Sequence, residues 1–172
     1  FRTNGLDGAT MDEIALKSGF GKATLYYYFH SKEEVFSAIL VNGWEAIWMS
    51  LEPIIASEKS PRKTFINILL RIAENARKNQ GLYSFLFNVP KLINIEEQPW
   101  KFYQNRLYAV IQGILEDGIK VGEFPDINPK LLFKAMGGLF MGLVLMDDKN
   151  EPVSEKEIEK LLNQLITGPT QK

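Results

Sequence analysis

The sequence contains no cysteine and a single histidine, His30. The first absence removes disulfides, thiolate metal sites and a cysteine nucleophile, and it fits a reducing cytosol. The second leaves His30 without a metal-ligand partner, so it reads as a solvent-facing linker residue. Polar-apolar alternation, the mark of half-buried strands, is rare, and no repeat at a fixed period appears. Long apolar runs are missing as well. The longest, Leu131 to Met146, is interrupted by Lys134 and is too short to span a bilayer. No N-terminal apolar run leads into a small-residue cleavage site, so no signal peptide is expected. There is no glycine-rich phosphate loop and no polar constellation that repeats a known mechanism. Together these gaps argue against an enzyme and imply neither a cofactor nor a metal. The net charge is only −1. That argues against a chain coated in nucleic acid but leaves room for a local basic patch.

What is present is helix. The 172 residues are 45% hydrophobic and 24% charged, which suits one large domain or a small one joined to a larger one. Phe1 to Asn4 reads as the last turn of a helix ending at Gly5, and so implies residues before Phe1. Thr10 and Glu13 form a capping box that opens a short helix, Met11 to Lys17. Ser18-Gly19-Phe20 is the turn, and a second short helix spans about Gly21 to Phe29. Ser31 and Glu34 repeat the box before a longer helix, which Pro53 should kink or end. Ser60-Pro61, Pro99 and Asn128-Pro129 start further helices, with Gly122 ending the one that Pro99 opens. Ser154 and Glu157 cap the last. The pattern predicts an all-α protein, with a small unit over 1–40 and a larger helical domain over 41–172.

Two short helices joined by a glycine-containing turn suggest a helix-turn-helix. Ile14 and Ala15 can pack against Leu25, with Phe20 and Phe29 filling the rest of the small core. Leu25 and Phe29 lie four apart on one face. Tyr26, Tyr27 and Tyr28 cannot all share that face, so some must point outward. Exposed tyrosines make sense if their hydroxyls bond phosphate oxygens and their rings line a groove wall. Lys22 adds charge at the helix start, and Thr24 suits a base edge or a thymine methyl. Spacing alone leaves a second option, in which the tyrosines are core and rim, and Thr10 and Ser31 are caps only.

The stretch ATMDEIALKSGFGKATLYYYFHSKEEVFSAIL resembles the N-terminal signature of the TetR family of bacterial transcriptional repressors. The matching pieces are Thr10, Ile14 and Ala15, the Gly19 turn, Leu25, Tyr26 and Phe29, and the run Lys32-Glu33-Glu34. The resemblance covers about Gly5 to Leu40; beyond it only the helical layout is similar. It implies that Thr10 and Lys32 bond phosphates. Gly21, Lys22 and Thr24 would face the major groove, with Tyr26 touching bases and Tyr27 the backbone. Tyr28 stands where the family often has histidine.

For the larger domain the resemblance implies dimerisation through the last two helices and a small-molecule effector bound among the middle ones. Leu131 to Met146 is apolar nearly all round, with Gly138 and Gly142 four apart, which favours close approach of another helix. The interface candidates are Gly138, Leu139, Gly142 and Leu143, with Ile158, Leu161, Leu162 and Leu165 from the last helix. The pocket candidates are Tyr83, Phe85, Phe87, Trp100, Phe102, Tyr103 and Phe140. No cluster of charged residues marks a charged ligand, so an apolar or amphipathic effector is expected. The reading is a cytoplasmic, homodimeric repressor that binds double-stranded operator DNA and releases it when the effector binds, with no membrane partner. The competing reading is a helical adaptor that binds a protein partner without DNA.

Overall fold

Among the residues that the computed structural model describes, 1, 5–88, 98–145 and 154–165, every regular element is a helix. The side chains at 143–145, 155, 158, 162 and 165 lie outside that description. In chain order the helices are α1 (Met11–Ser18), α2 (Lys22–Tyr28), α3 (Lys32–Ser57), α4 (Pro61–Lys78), α5 (Gln80–Asn88), α6 (Lys101–Lys120), α7 (Pro129–Leu145) and α8 (Glu155–Leu165).

Local chemistry sets most of the boundaries. The Thr10–Glu13 capping box forms, with Glu13 N–H donating to Thr10 Oγ1 at 3.2 Å and Thr10 N–H donating to Glu13 Oε2 at 3.1 Å. Gly19 ends α1 at φ 75°, the left-handed conformation that only glycine adopts without strain. Ser31 caps α3, although Glu34 turns its carboxylate to the His30 N–H instead of closing a box. Pro61 stands in the first turn of α4. Glu123, from the α6–α7 connection, accepts from the Ser60 hydroxyl and the Arg62 N–H, both at 2.8 Å. Its negative charge therefore sits at the start of α4, where the helix dipole favours it.

Pro53 does not end α3, which continues to Ser57. The proline and Met49, whose carbonyl it deprives of a donor, both lie on an exposed side of the helix. Water can satisfy that carbonyl, so the break costs too little to stop the helix.

Two apolar clusters organise the chain. The smaller holds Met11, Ala15, Leu25 and Val35, with Ile14, Phe29, Ile39 and Phe1 packed against it. Phe20 is not part of it. It is 60% exposed, because the turn between the two glycines carries its ring out to solvent, and Met11 and Val35 fill the space instead. The larger cluster is built by α3 to α7 and includes Phe36, Leu40, Trp44, Ile68, Leu86 and Leu115. Val35 and Phe36 are neighbours in sequence yet belong to different clusters. The division between the cores thus runs around the first turn of α3, and Leu40 lies inside an unbroken helix. This shared helix joins the small unit to the large one.

Candidate nucleic-acid interface and ligand cavity

α2 presents its core through one residue. Leu25 is buried, and with about 100° per residue the next three positions must turn away from it. Tyr26 is 42% exposed, Tyr27 79% and Tyr28 69%. Tyr27, nearly opposite Leu25, is the most outward. The rings of Tyr27 and Tyr28 meet edge-on at 5.1 Å. Gly21, the N-cap, and Lys22 and Thr24 are exposed as well, so every candidate residue from 21 to 28 reaches solvent. No acidic residue lies in the first turn of α2.

The polar members of the face are held by the protein itself. Lys22 Nζ lies 2.8 Å from Asp12 Oδ2 of α1, with both groups exposed. The hydrogen bond to Asp12 and its charge hold the Lys22 ammonium above the ordinary lysine range. An exposed pair of this kind costs little to exchange for a phosphate. The Lys22 ammonium also lies 5.9 Å from the Tyr26 ring centre. Thr10 is exposed, and its hydroxyl is committed to the capping box. Lys32 Nζ donates to the Asp7 carbonyl at 3.1 Å, which ties the segment before α1 to the start of α3. His30 is exposed. Lys17, exposed in the last turn of α1, is an additional cation of the helix-turn-helix unit that the motif did not single out.

A cavity of about 660 Å³ opens within the larger domain. α4 supplies Phe65, Leu69 and Ile72; α5 supplies Phe87; α6 supplies Lys101, Gln104, Leu107, Tyr108 and Ile111. α7 contributes Phe133, Met136, Gly137, Phe140 and Met141, a stripe at helical spacing, with Gly138 beside it. The Phe87 and Phe140 rings meet at 5.5 Å and those of Tyr108 and Phe133 at 5.7 Å. Burial pushes the Tyr108 phenol above its usual range, offset in part by a hydrogen bond with Gln104.

Of the aromatic pocket candidates, the cavity takes Phe87 and Phe140. The others have different partners. Phe85 and Trp100 pack on Phe36 at 5.2 and 6.4 Å. Tyr83 is buried beside Phe87, its phenol raised by burial and hydrogen-bonded with Asn75. Phe102 is 64% exposed. Tyr103 donates to Glu45 Oε1 at 2.7 Å, and Arg106 stacks 4.0 Å over Trp48, so this side of α6 faces α3 rather than the cavity. The remaining lining residues lie on apolar stripes of α4, α6 and α7, where spacing does not separate a cavity wall from ordinary core.

Of the dimer candidates, Leu139 is half-buried against the main cluster, Gly142 and Leu161 are half-buried, and Gly138 is exposed at the cavity rim. Leu131, Ala135 and Gly138 form an exposed strip on α7. The side chains of Leu143, Ile158, Leu162 and Leu165 lie outside the described residues. α8 packs on α4, where Arg62 Nη2 donates to the Asn163 carbonyl at 2.7 Å. Among the described residues no helix is long and apolar enough to cross a membrane, and no cluster of three or more metal-binding side chains occurs.

Known proteins match both halves of this description. Residues 1–39 match the model for bacterial regulatory proteins of the tetR family. The HTH-type transcriptional regulator YhgD of Bacillus subtilis is 26% identical over 91% of this chain and 83% of its own length. The biofilm operon icaADBC HTH-type negative transcriptional regulator IcaR of Staphylococcus epidermidis is 29% identical over 60% of this chain and 45% of its own. The crystal structure of AibR in complex with isovaleryl coenzyme A and operator DNA superposes with a TM-score of 0.78. It covers 97% of this chain and 92% of the other at 15% identity. The helix-turn-helix unit thus carries the tetR-family match, and the chain as a whole is similar to TetR-type DNA-binding transcriptional regulators in sequence and fold.

Proposed function

We propose that this protein is a homodimeric repressor that holds operator DNA through the exposed face of α2 and releases it when an apolar or amphipathic molecule fills the α4–α7 cavity. The observation that carries the reading is the solvent face of α2, where three tyrosines stand exposed beside Lys22 and Thr24. Large apolar rings left in water on a seven-residue helix have no packing role to account for them. A major-groove wall gives the rings a surface and the hydroxyls phosphate partners. In this role Tyr26 reaches bases, Tyr27 the backbone, and Thr10 and Lys32 the flanking phosphates. Tyr28, turned edge-on to Tyr27, braces its neighbour.

The cavity supports the second half. Its size and largely apolar lining suit a small organic ligand. α5 connects it to the DNA unit. Phe87 lies on the cavity wall, while Phe85, two residues earlier, packs on Phe36 of α3 and lies 6.4 Å from Phe1. Phe36 in turn meets Phe1 at 5.3 Å. A ligand that moves α5 therefore moves α3, and a tilt of α3 changes the spacing of the two recognition helices in a dimer. The exposed strip Leu131, Ala135 and Gly138, together with α8, is the surface for the partner subunit. IcaR is a negative regulator and AibR crystallises with both an acyl coenzyme A and operator DNA, which favours repression and effector binding here.

Selection from random duplexes followed by a mobility shift tests this reading. Tyr27→Ala should weaken the best selected operator at least tenfold without changing helical content. Absence of any preferred duplex, with a protein partner captured instead, would favour the adaptor reading.

A further inference from the structure

The charge of the cavity wall narrows the ligand class. Among the described residues Lys101 is the one charged residue that lines the cavity, and no carboxylate of theirs does. It is exposed, so its ammonium stands at the opening rather than in the depth. Among the described residues it has no ion pair and no side-chain hydrogen bond. It is also the first residue of α6, whose N-terminus has no side-chain cap and no acidic residue in its first turn. The Lys101 and Phe102 N–H groups there donate to the Gln98 and Pro99 carbonyls at 3.0 and 3.2 Å, so the positive charge of the mouth rests on the ammonium. Gln104, one turn further in, supplies an amide. Beyond it the wall is apolar. On the opposite side Gly137 lines the cavity from α7, and a Cβ there would meet nothing within 4 Å. Glycine inside a helix is less favourable than alanine, so this position leaves room that the protein's own packing does not use.

We infer that the cavity takes an amphiphile of one polarity: an acyl chain lying along Gly137 of α7, with an anionic end held at the mouth by Lys101. This deepens the effector reading above and rests on it. Among the described residues the wall carries one unpaired cation and no anion, which disfavours a cationic amphiphile and leaves the ammonium unused by a neutral one. Two sources share the chemistry, a free carboxylate and its coenzyme A thioester, whose phosphates would supply the anion.

Calorimetric titration of the intact protein with decanoate, decanol and decanoyl coenzyme A tests the inference. Decanoate should bind at least about tenfold more tightly than decanol, and Lys101→Gln should remove that difference while leaving decanol unchanged. Gly137→Leu, which places a side chain on the cavity wall, should weaken both. Tighter binding of decanoyl coenzyme A with the same dependence on Lys101 would support the anionic contact and assign it to a phosphate. Equal affinity for decanoate and decanol would overturn the inference, as would insensitivity to Lys101→Gln or to Gly137→Leu, or no binding of any of the three. Operator release is measured in parallel. Binding that depends on Lys101 but releases no DNA would count against the effector role alone. DNA release by decanol as readily as by decanoate would keep that role and reject the anionic head.

Discussion

Replacing Gly43 with alanine tests the contact through which α5 grips α3. A Cβ on Gly43 would lie 2.6 and 2.8 Å from the two Leu86 methyls and 3.2 Å from its Cγ. Leu86 is fully buried, so its side chain has little space to turn away. Over-packing of this kind costs about 1–3 kcal/mol. Alanine is also the better helix former by about 1 kcal/mol, which offsets part of the clash. The net expectation is a loss of about 0–2 kcal/mol, in which the two effects partly cancel. A double-mutant cycle with Leu86→Ala resolves it. That variant alone should cost about 2–5 kcal/mol, as a buried leucine truncation does. In its background the clash is gone, and Gly43→Ala should stabilise by up to about 1 kcal/mol. The coupling between the two sites is then about 1–3 kcal/mol. Urea denaturation of the four proteins at one fixed concentration measures it, since subunit association would shift the midpoints. If Gly43→Ala has the same effect in both backgrounds, Leu86 does not pack against Gly43, and the route from Phe87 to α3 loses its anchor.

Two further outcomes follow from the same geometry. Asp12→Asn frees Lys22 from its exposed pair and removes a negative charge from beside the recognition helix; operator affinity should rise a few-fold at low salt, and unchanged or weaker binding would mean that Lys22 does not meet phosphate. Burial raises the Tyr108 phenol, so above the ordinary tyrosine value of about 10 the unfolded chain loses that proton first and stability falls with rising pH; denaturation followed across this range should show a shallower fall for Tyr108→Phe than for the parent protein.

The helical architecture was legible because its signals are local. Capping residues at Thr10, Ser31, Ser60 and Ser154 and the glycine at 19 mark boundaries through hydrogen bonds made within a few residues. That some of Tyr26, Tyr27 and Tyr28 must point outward followed from the spacing of Leu25 and Phe29 alone. Errors arose where a residue's environment depends on distant chain. Phe20 reads as core by composition, but Val35 of α3 and Met11 of α1 occupy that space. Pro53 reads as a kink or an end, and α3 runs on through it to Ser57 because its side of the helix faces solvent. Aromatic content drew attention to Phe85, Trp100 and Tyr103, which bind α3, whereas the cavity wall runs along the other side of α6 and along α7. Lys101 carries no sequence signal at all; only its place on the cavity wall distinguishes it from other surface lysines.

The salt dependence of operator binding, measured for the parent protein and for Lys22→Ala, tests the central claim most directly. Each phosphate contact contributes a slope of about −0.9 to the plot of log affinity against log salt concentration. A dimer presents Lys22 twice, so Lys22→Ala should make the slope shallower by about 1.8 while folding is unchanged. The account predicts a steep parent slope that flattens by this amount. Affinity that is insensitive to salt, or a slope that Lys22→Ala leaves intact, would contradict the assignment of α2 as the helix that meets DNA.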